Sequence, residues 1–193
     1  MTGETFGLDA PPADATPAQY ICCAAGETIS DPKPGDIILI RGAGWLGCLI
    51  RLFERMRYRT AEDRAFARWS HAAIVVGRDG LLVEVLHTGV TFSRLEKYRD
   101  QDYRYIRLDL SDTDRKSAAV YACACLRQKY GVSSFLLFAA SLLAGDRWRI
   151  RDRGQQGCVA LIVRALQRAG VKFDRPAADM MPADLAKHFG VRG

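Results

Sequence analysis

The stretch Trp69 to Val85 reads W-S-H-A-A-I-V-V-G-R-D-G-L-L-V-E-V, and the fold turns on how it is read. Ala72 to Val76 and Leu81 to Val85 are short apolar runs bounded by turn residues, the signal for a pair of strands. Gly77-Arg78-Asp79-Gly80 between them supplies the reversal, since Gly and Asp tolerate the backbone angles a turn requires. His71 opens the first run and Glu84 sits inside the second. A polar group built into such a hairpin is costly unless it has a partner or a task. A tight turn around Arg78 to Gly80 sets Ala73 or Val75 opposite Glu84, and His71 shares that face because side chains alternate along a strand. This register brings the carboxylate diagonally to the imidazole. A slip of one residue would send Glu84 to the other face.

Upstream, Asp31-Pro32-Lys33-Pro34-Gly35 is a turn that feeds Asp36 to Ile40, read as the first strand. Residues 1–30, rich in Ala, Pro, Asp and Thr, have no apolar periodicity and are expected to form a flexible arm on which Tyr20 and Ile21 are the docking candidates. Residues 31–193 are expected to form one domain. From Trp45, the positions Leu46, Leu49, Ile50 and Phe53 have helical spacing. Arg55 to Arg68 reads as a solvated connection. Downstream, Ser93-Arg94-Leu95-Glu96 has the pattern of a helix-capping box, and Tyr103 to Leu108 alternates as a half-buried strand does. Ser111-Asp112-Thr113-Asp114 starts a helix with an acidic first turn suited to the helix dipole. Its core face is Ala119, Ala122, Cys123, Leu126 and Tyr130, and Gly131 is its expected end. Val132 to Ala144 reads as a second, apolar helix, too short for the ~20 residues that span a bilayer.

The chain has 193 residues, of which 49% are hydrophobic and 26% charged, figures typical of one soluble globular domain. A net charge of +6 favours anionic partners, such as a membrane or cell-wall surface. No nucleic-acid motif is present, and no nucleic acid is expected as a partner. Met1 to Tyr20 lacks a basic segment followed by an apolar one, so the sequence as written reads as cytoplasmic, export being left open. The six cysteines show no disulfide framework, no C-x-x-C pair and no zinc spacing, which favours reduced thiols.

One cysteine stands apart. Cys158 follows Gly157 and begins a helix whose buried stripe is Val159, Ile162, Val163 and Leu166, with Gly170 as its stop. At a helix start the free backbone N–H groups and the dipole favour thiolate over thiol, and the same N–H groups suit an oxyanion. Cys158 is therefore the nucleophile candidate, His71 the base and Glu84 the group that orients the base. His87 is a rival orienting group, read as a surface residue because Thr88-Gly89 after it suggest a turn; His188 is read as solvated. The basic run Arg147 to Arg153, R-W-R-I-R-D-R, precedes Gln155-Gln156. Trp69, Arg147, Trp148 and Arg149 are assigned to a substrate rim.

Taken in order, Pro34-Gly35-Asp36-Ile37-Ile38, Ser70-His71-Ala72-Ala73-Ile74-Val75-Val76-Gly77, Glu84, Gly157-Cys158 and Pro182-Ala183-Asp184-Leu185 resemble the circularly permuted branch of the NlpC-type, papain-like cysteine hydrolases. That branch includes the YiiX/YaeF-like proteins and the lecithin:retinol acyltransferase group. The resemblance covers about Asp31 to Val191 and implies an α+β fold, an antiparallel sheet or small barrel packed against helices that include the one bearing the cysteine. It implies Cys158 as nucleophile, His71 as general base, Glu84 as third residue, a structural role beside the site for Asp36, and no metal or cofactor. Gln155 and Gln156 are the side-chain candidates for an oxyanion contact. The expected activity is amide cleavage through a thioester, with cell-wall peptides among the substrates. Two rival readings are a lipid-directed acyltransferase or esterase at a membrane surface, and a non-catalytic ligand-binding module of the same fold.

Overall fold

The computed structural model describes residues 18–23, 29–42, 60–86, 88–126 and 157–192. Among the described residues, six strands form one sheet: β1 (Ala18–Cys23), β2 (Ile37–Ile40), β3 (His71–Val75), β4 (Leu81–Leu86), β5 (Gly89–Arg94) and β6 (Tyr103–Leu108). They lie in the order β1-β6-β2-β3-β4-β5, and every pairing is antiparallel. With helices Asp112–Ala124, Cys158–Arg168 and Pro182–His188, this is an α+β fold, and among the described residues β1 and β5 are the outermost strands of the sheet.

The residues at the sheet centre explain its two faces. Each of Ile37 to Ile40 is essentially inaccessible to solvent, because both sides of β2 are covered. Ile37 and Leu39 join Ala72, Ile74, Val83, Ile106 and Leu108 under the helices. Ile38 and Ile40 join Ala73, Val75, Leu82, Tyr103 and Tyr105 on the other side, closed by Leu95 and Tyr98. Alternation along each strand sorts the two sets. The helix Cys158–Arg168 buries Val159 to Val163 together with Ala165 and Leu166 against the first face.

Several expectations change. The flexible arm does not extend through Ala18–Cys23, which pairs residue for residue with β6. It is held there by the antiparallel backbone ladder of that pairing. The strand beginning at Ile37 is therefore not the first. Gly89, read with Thr88 as a turn, has φ +113° and starts β5. Ser93 lies inside β5, and the short 3-10 helix Leu95–Tyr98 has Arg94 at its N-cap with no side-chain cap. Farther on, the helix after Ser111 ends at Ala124. Ser111 does cap it, accepting from the Asp114 N–H at 3.2 Å. The expected helices at Trp45 and Val132–Ala144, and Tyr130 and Gly131, lie outside the described residues.

Asp36 sits at the end of β2 opposite to His71, since Ile37 pairs with Ile74 and Ile40 with His71. It is completely buried and holds elements together there rather than beside the site. It accepts from Arg115 Nη1 at 2.6 Å, Tyr105 Oη at 2.7 Å and the Leu108 N–H at 3.1 Å. The Gly35 before it has φ +86°, and a Cβ there would lie 3.2 Å from the Arg115 Cα. Both the left-handed backbone and the close approach of the helix require glycine.

Candidate active site

The hairpin has the register that its sequence allows. Val76 and Gly77 N–H groups both donate to the Leu81 carbonyl, and Gly80 takes φ +75° to complete the turn. Ala73 then faces Glu84 directly. His71, two residues back on the same face, reaches Glu84 diagonally: Nε2 to Oε2 is 2.7 Å. The Glu84 side chain is fully buried, whereas the His71 side chain keeps 19% exposure, enough for a reacting group to approach.

Being the first residue of β3, His71 stands where both faces of the sheet are within reach. Cys158, the first residue of its helix, comes from the helical side, half-buried, and lies close enough to the imidazole for each group to shift the other's pKa. With Nε2 engaged by Glu84, the other ring nitrogen is the one available to a thiol. Gly157 is the N-cap and offers no side-chain cap, so no side chain of the N-cap competes for the helix's free N–H groups.

The charges in this cluster depend on one another. Burial pushes the Cys158 thiol up, but His71, by hydrogen bond and by charge, and backbone hydrogen bonds from Ala72 and Val159 bring it below its ordinary value. Burial likewise pushes His71 down, and the hydrogen bonds to Cys158 and Glu84, with their charges, carry it up to about 9. Glu84 would be raised by burial, yet hydrogen bonds from His71, Lys97 and Tyr98 hold it well below the usual carboxylate range. The arrangement favours a thiolate–imidazolium pair backed by a carboxylate, the state in which a cysteine is nucleophilic. By contrast, burial pushes Cys123 up.

Two contacts of Glu84 have no signal in the sequence. Lys97 Nζ donates to Oε1 at 2.6 Å, and the Tyr98 hydroxyl donates to Oε2. Both come from the 3-10 helix after β5, and only the β4–β5 pairing folds that turn back onto Glu84. Recognising β5 as a strand would have pointed to them.

Other assignments fall elsewhere. Trp69 is no part of a rim: it is fully buried, its indole N–H donates to the Val191 carbonyl at 3.2 Å, and Arg104 covers its ring. A large ring two residues before the strand serves the core here. His188 is not a solvated residue; its ring lies 4.5 Å from that of Phe173 and 4.8 Å from that of Phe189, and burial lowers its pKa. Gln155, Gln156, Arg147, Trp148, Arg149 and His87 lie outside the described residues. Among the described residues, no three His, Cys, Asp or Glu side chains group to hold a metal ion, and no helix is long and apolar enough to cross a membrane.

No family model and no curated protein matches the sequence. Among solved structures, the fold is similar to that of the metalloprotein YiiX from Escherichia coli O157:H7, with 20% identity and a TM-score of 0.50 over 72% of this chain and 67% of that one. The six-stranded sheet and its helices therefore form a YiiX-like fold.

Proposed function

We propose that the protein is a cysteine hydrolase that cleaves an amide bond through a thioester acyl-enzyme. The observation that carries this reading is the placement of Cys158 beside His71, whose Nε2 lies 2.7 Å from Glu84 Oε2, with the sulfur at a helix start. The YiiX-like fold is compatible with it.

In the proposed reaction the Cys158 thiolate attacks the carbonyl carbon, and the C=O electron pair moves onto oxygen. Backbone N–H groups at the start of the helix stabilise that oxyanion. As the C–N bond breaks, the His71 imidazolium gives its proton to the departing amine. Neutral His71 then takes a proton from water, whose oxygen attacks the thioester. The C–S bond breaks, the acid leaves, and the thiolate–imidazolium pair is restored. Glu84 accepts a hydrogen bond from His71 throughout, fixing the ring and stabilising its charged form. Net positive charge suits acidic peptides such as those of a cell wall, which makes them the proposed substrate class.

Mass spectrometry of the protein mixed with a panel of activated peptide amides and esters tests this reading. The expected result is an acyl adduct on Cys158 that decays with release of the acid and is absent in Cys158→Ala. Failure of every member to acylate Cys158 would count against a hydrolase and for a binding module.

A further inference from the structure

The mechanism uses three residues, but the carboxylate at its end has three donors. Glu84 Oε2 accepts from both His71 and Tyr98, while Oε1 accepts from Lys97. A carboxylate with a single partner can rotate about its terminal torsion and offer either oxygen. Here both oxygens are claimed, so rotation would break at least two hydrogen bonds at once. Tyr98 also bounds the imidazole: its ring centroid is 6.5 Å from that of His71, tilted by 42°. Lys97 Nζ lies 5.1 Å from the centroid of the Tyr98 ring, which ties the two neighbours to each other. Tyr98 is only 4% exposed, whereas the Lys97 side chain is 42% exposed and reaches in from solvent.

We propose that Lys97 and Tyr98 are positioning residues, a clamp that holds the Glu84 carboxylate with one oxygen aimed at His71 and thereby keeps the imidazole directed at Cys158. This role rests on the reading of Cys158, His71 and Glu84 as the reacting machinery. The charged and titratable groups around the carboxylate are His71 from β3, Lys97 and Tyr98 from the 3-10 helix and, beyond the imidazole, Cys158 from its helix. Lys97 acts as a cation on the outer oxygen. It keeps Glu84 ionised without competing for the oxygen that His71 uses. Tyr98 acts as a neutral donor on the shared oxygen and sets its direction.

The test is the pH dependence of Cys158 alkylation by iodoacetamide, followed by peptide mass spectrometry in the full chain. This readout reports the thiolate and needs no substrate. A residue that merely supports the fold would change melting temperature and leave the profile in place. In Tyr98→Phe and in Lys97→Met, the acid-side rise of alkylation is expected about one pH unit higher, a loss of roughly tenfold in rate on the acid side of the profile. Lys97→Arg, which keeps the cation, is expected to restore the wild-type profile. Lys97 is exposed enough that its variants test the proposal even if Tyr98→Phe folds poorly. Wild-type profiles in both Tyr98→Phe and Lys97→Met, alongside a shifted profile in Glu84→Gln, would overturn the clamp and leave the hydrolase reading standing. An unshifted profile in Glu84→Gln and His71→Ala as well would overturn both.

Discussion

Replacing His71 with alanine is expected to slow acylation of Cys158 by about 10²–10⁴-fold, the usual worth of a positioned acid–base group. The loss has two sources. Without its partner, Cys158 returns toward the ordinary cysteine range, so little thiolate is present at neutral pH. The leaving amine also has no proton donor. The pH profile should change shape as well as height. In the wild type, acylation rises through the depressed thiol pKa and falls as His71 loses its proton near 9. His71→Ala removes the falling limb and moves the rising limb to higher pH. The fold should survive, because His71 is the first residue of its strand and partly exposed, and Glu84 keeps Lys97 and Tyr98 as donors. Rates from single-turnover acylation, with circular dichroism as the control on folding, check this. A loss smaller than about tenfold would be too small for the assigned role.

The second large effect concerns stability. Asp36→Ala is expected to destabilise the protein by about 3–5 kcal/mol, the typical cost of breaking a buried ion pair from one side. Arg115 has only 10% of its side chain exposed and also donates to the Leu108 and Pro34 carbonyls. Removing Asp36 leaves the guanidinium buried without its counter-charge. Tyr105 and the Leu108 N–H lose their acceptor at the same time. The double variant Asp36→Leu, Arg115→Met is expected to be much less harmful than the single one, since a buried pair replaced by apolar groups of similar volume is often close to neutral. Urea unfolding midpoints at constant slope measure both. An Asp36→Ala variant with the wild-type midpoint would contradict the structural role.

The two polar residues of the hairpin were legible in the sequence because strand periodicity leaves few choices once the turn is placed. Gly77 to Gly80 fixed the turn, and the turn fixed which face Glu84 takes. The place of Cys158 at a helix start was legible from Gly157 before it and the apolar stripe after it. Residues that act across long sequence separations were not. Arg115 lies in a helix pattern as one charged residue among several, and nothing local says that it will turn inward to Asp36, 79 positions away. Trp69 stands beside His71, yet its indole is bonded to Val191 at the far end of the chain. Lys97 and Tyr98 meet Glu84 only through a strand, β5, whose Gly89 start reads as a turn. His188 reads as solvated on a short terminal helix, and only the packing of Phe173 against it reveals otherwise.

In the proposed mechanism, Cys158 and Glu84 together hold His71 as an imidazolium at neutral pH. Nitrogen-15 NMR of the histidine side chains across pH 5 to 10 tests it directly, since the chain contains only three histidines. His71 is expected to remain doubly protonated through neutral pH and to titrate near 9, with a fall toward 6.5, the ordinary histidine value, in Cys158→Ser. A wild-type His71 that titrates at or below 6.5, with no response to Cys158→Ser, would contradict the account.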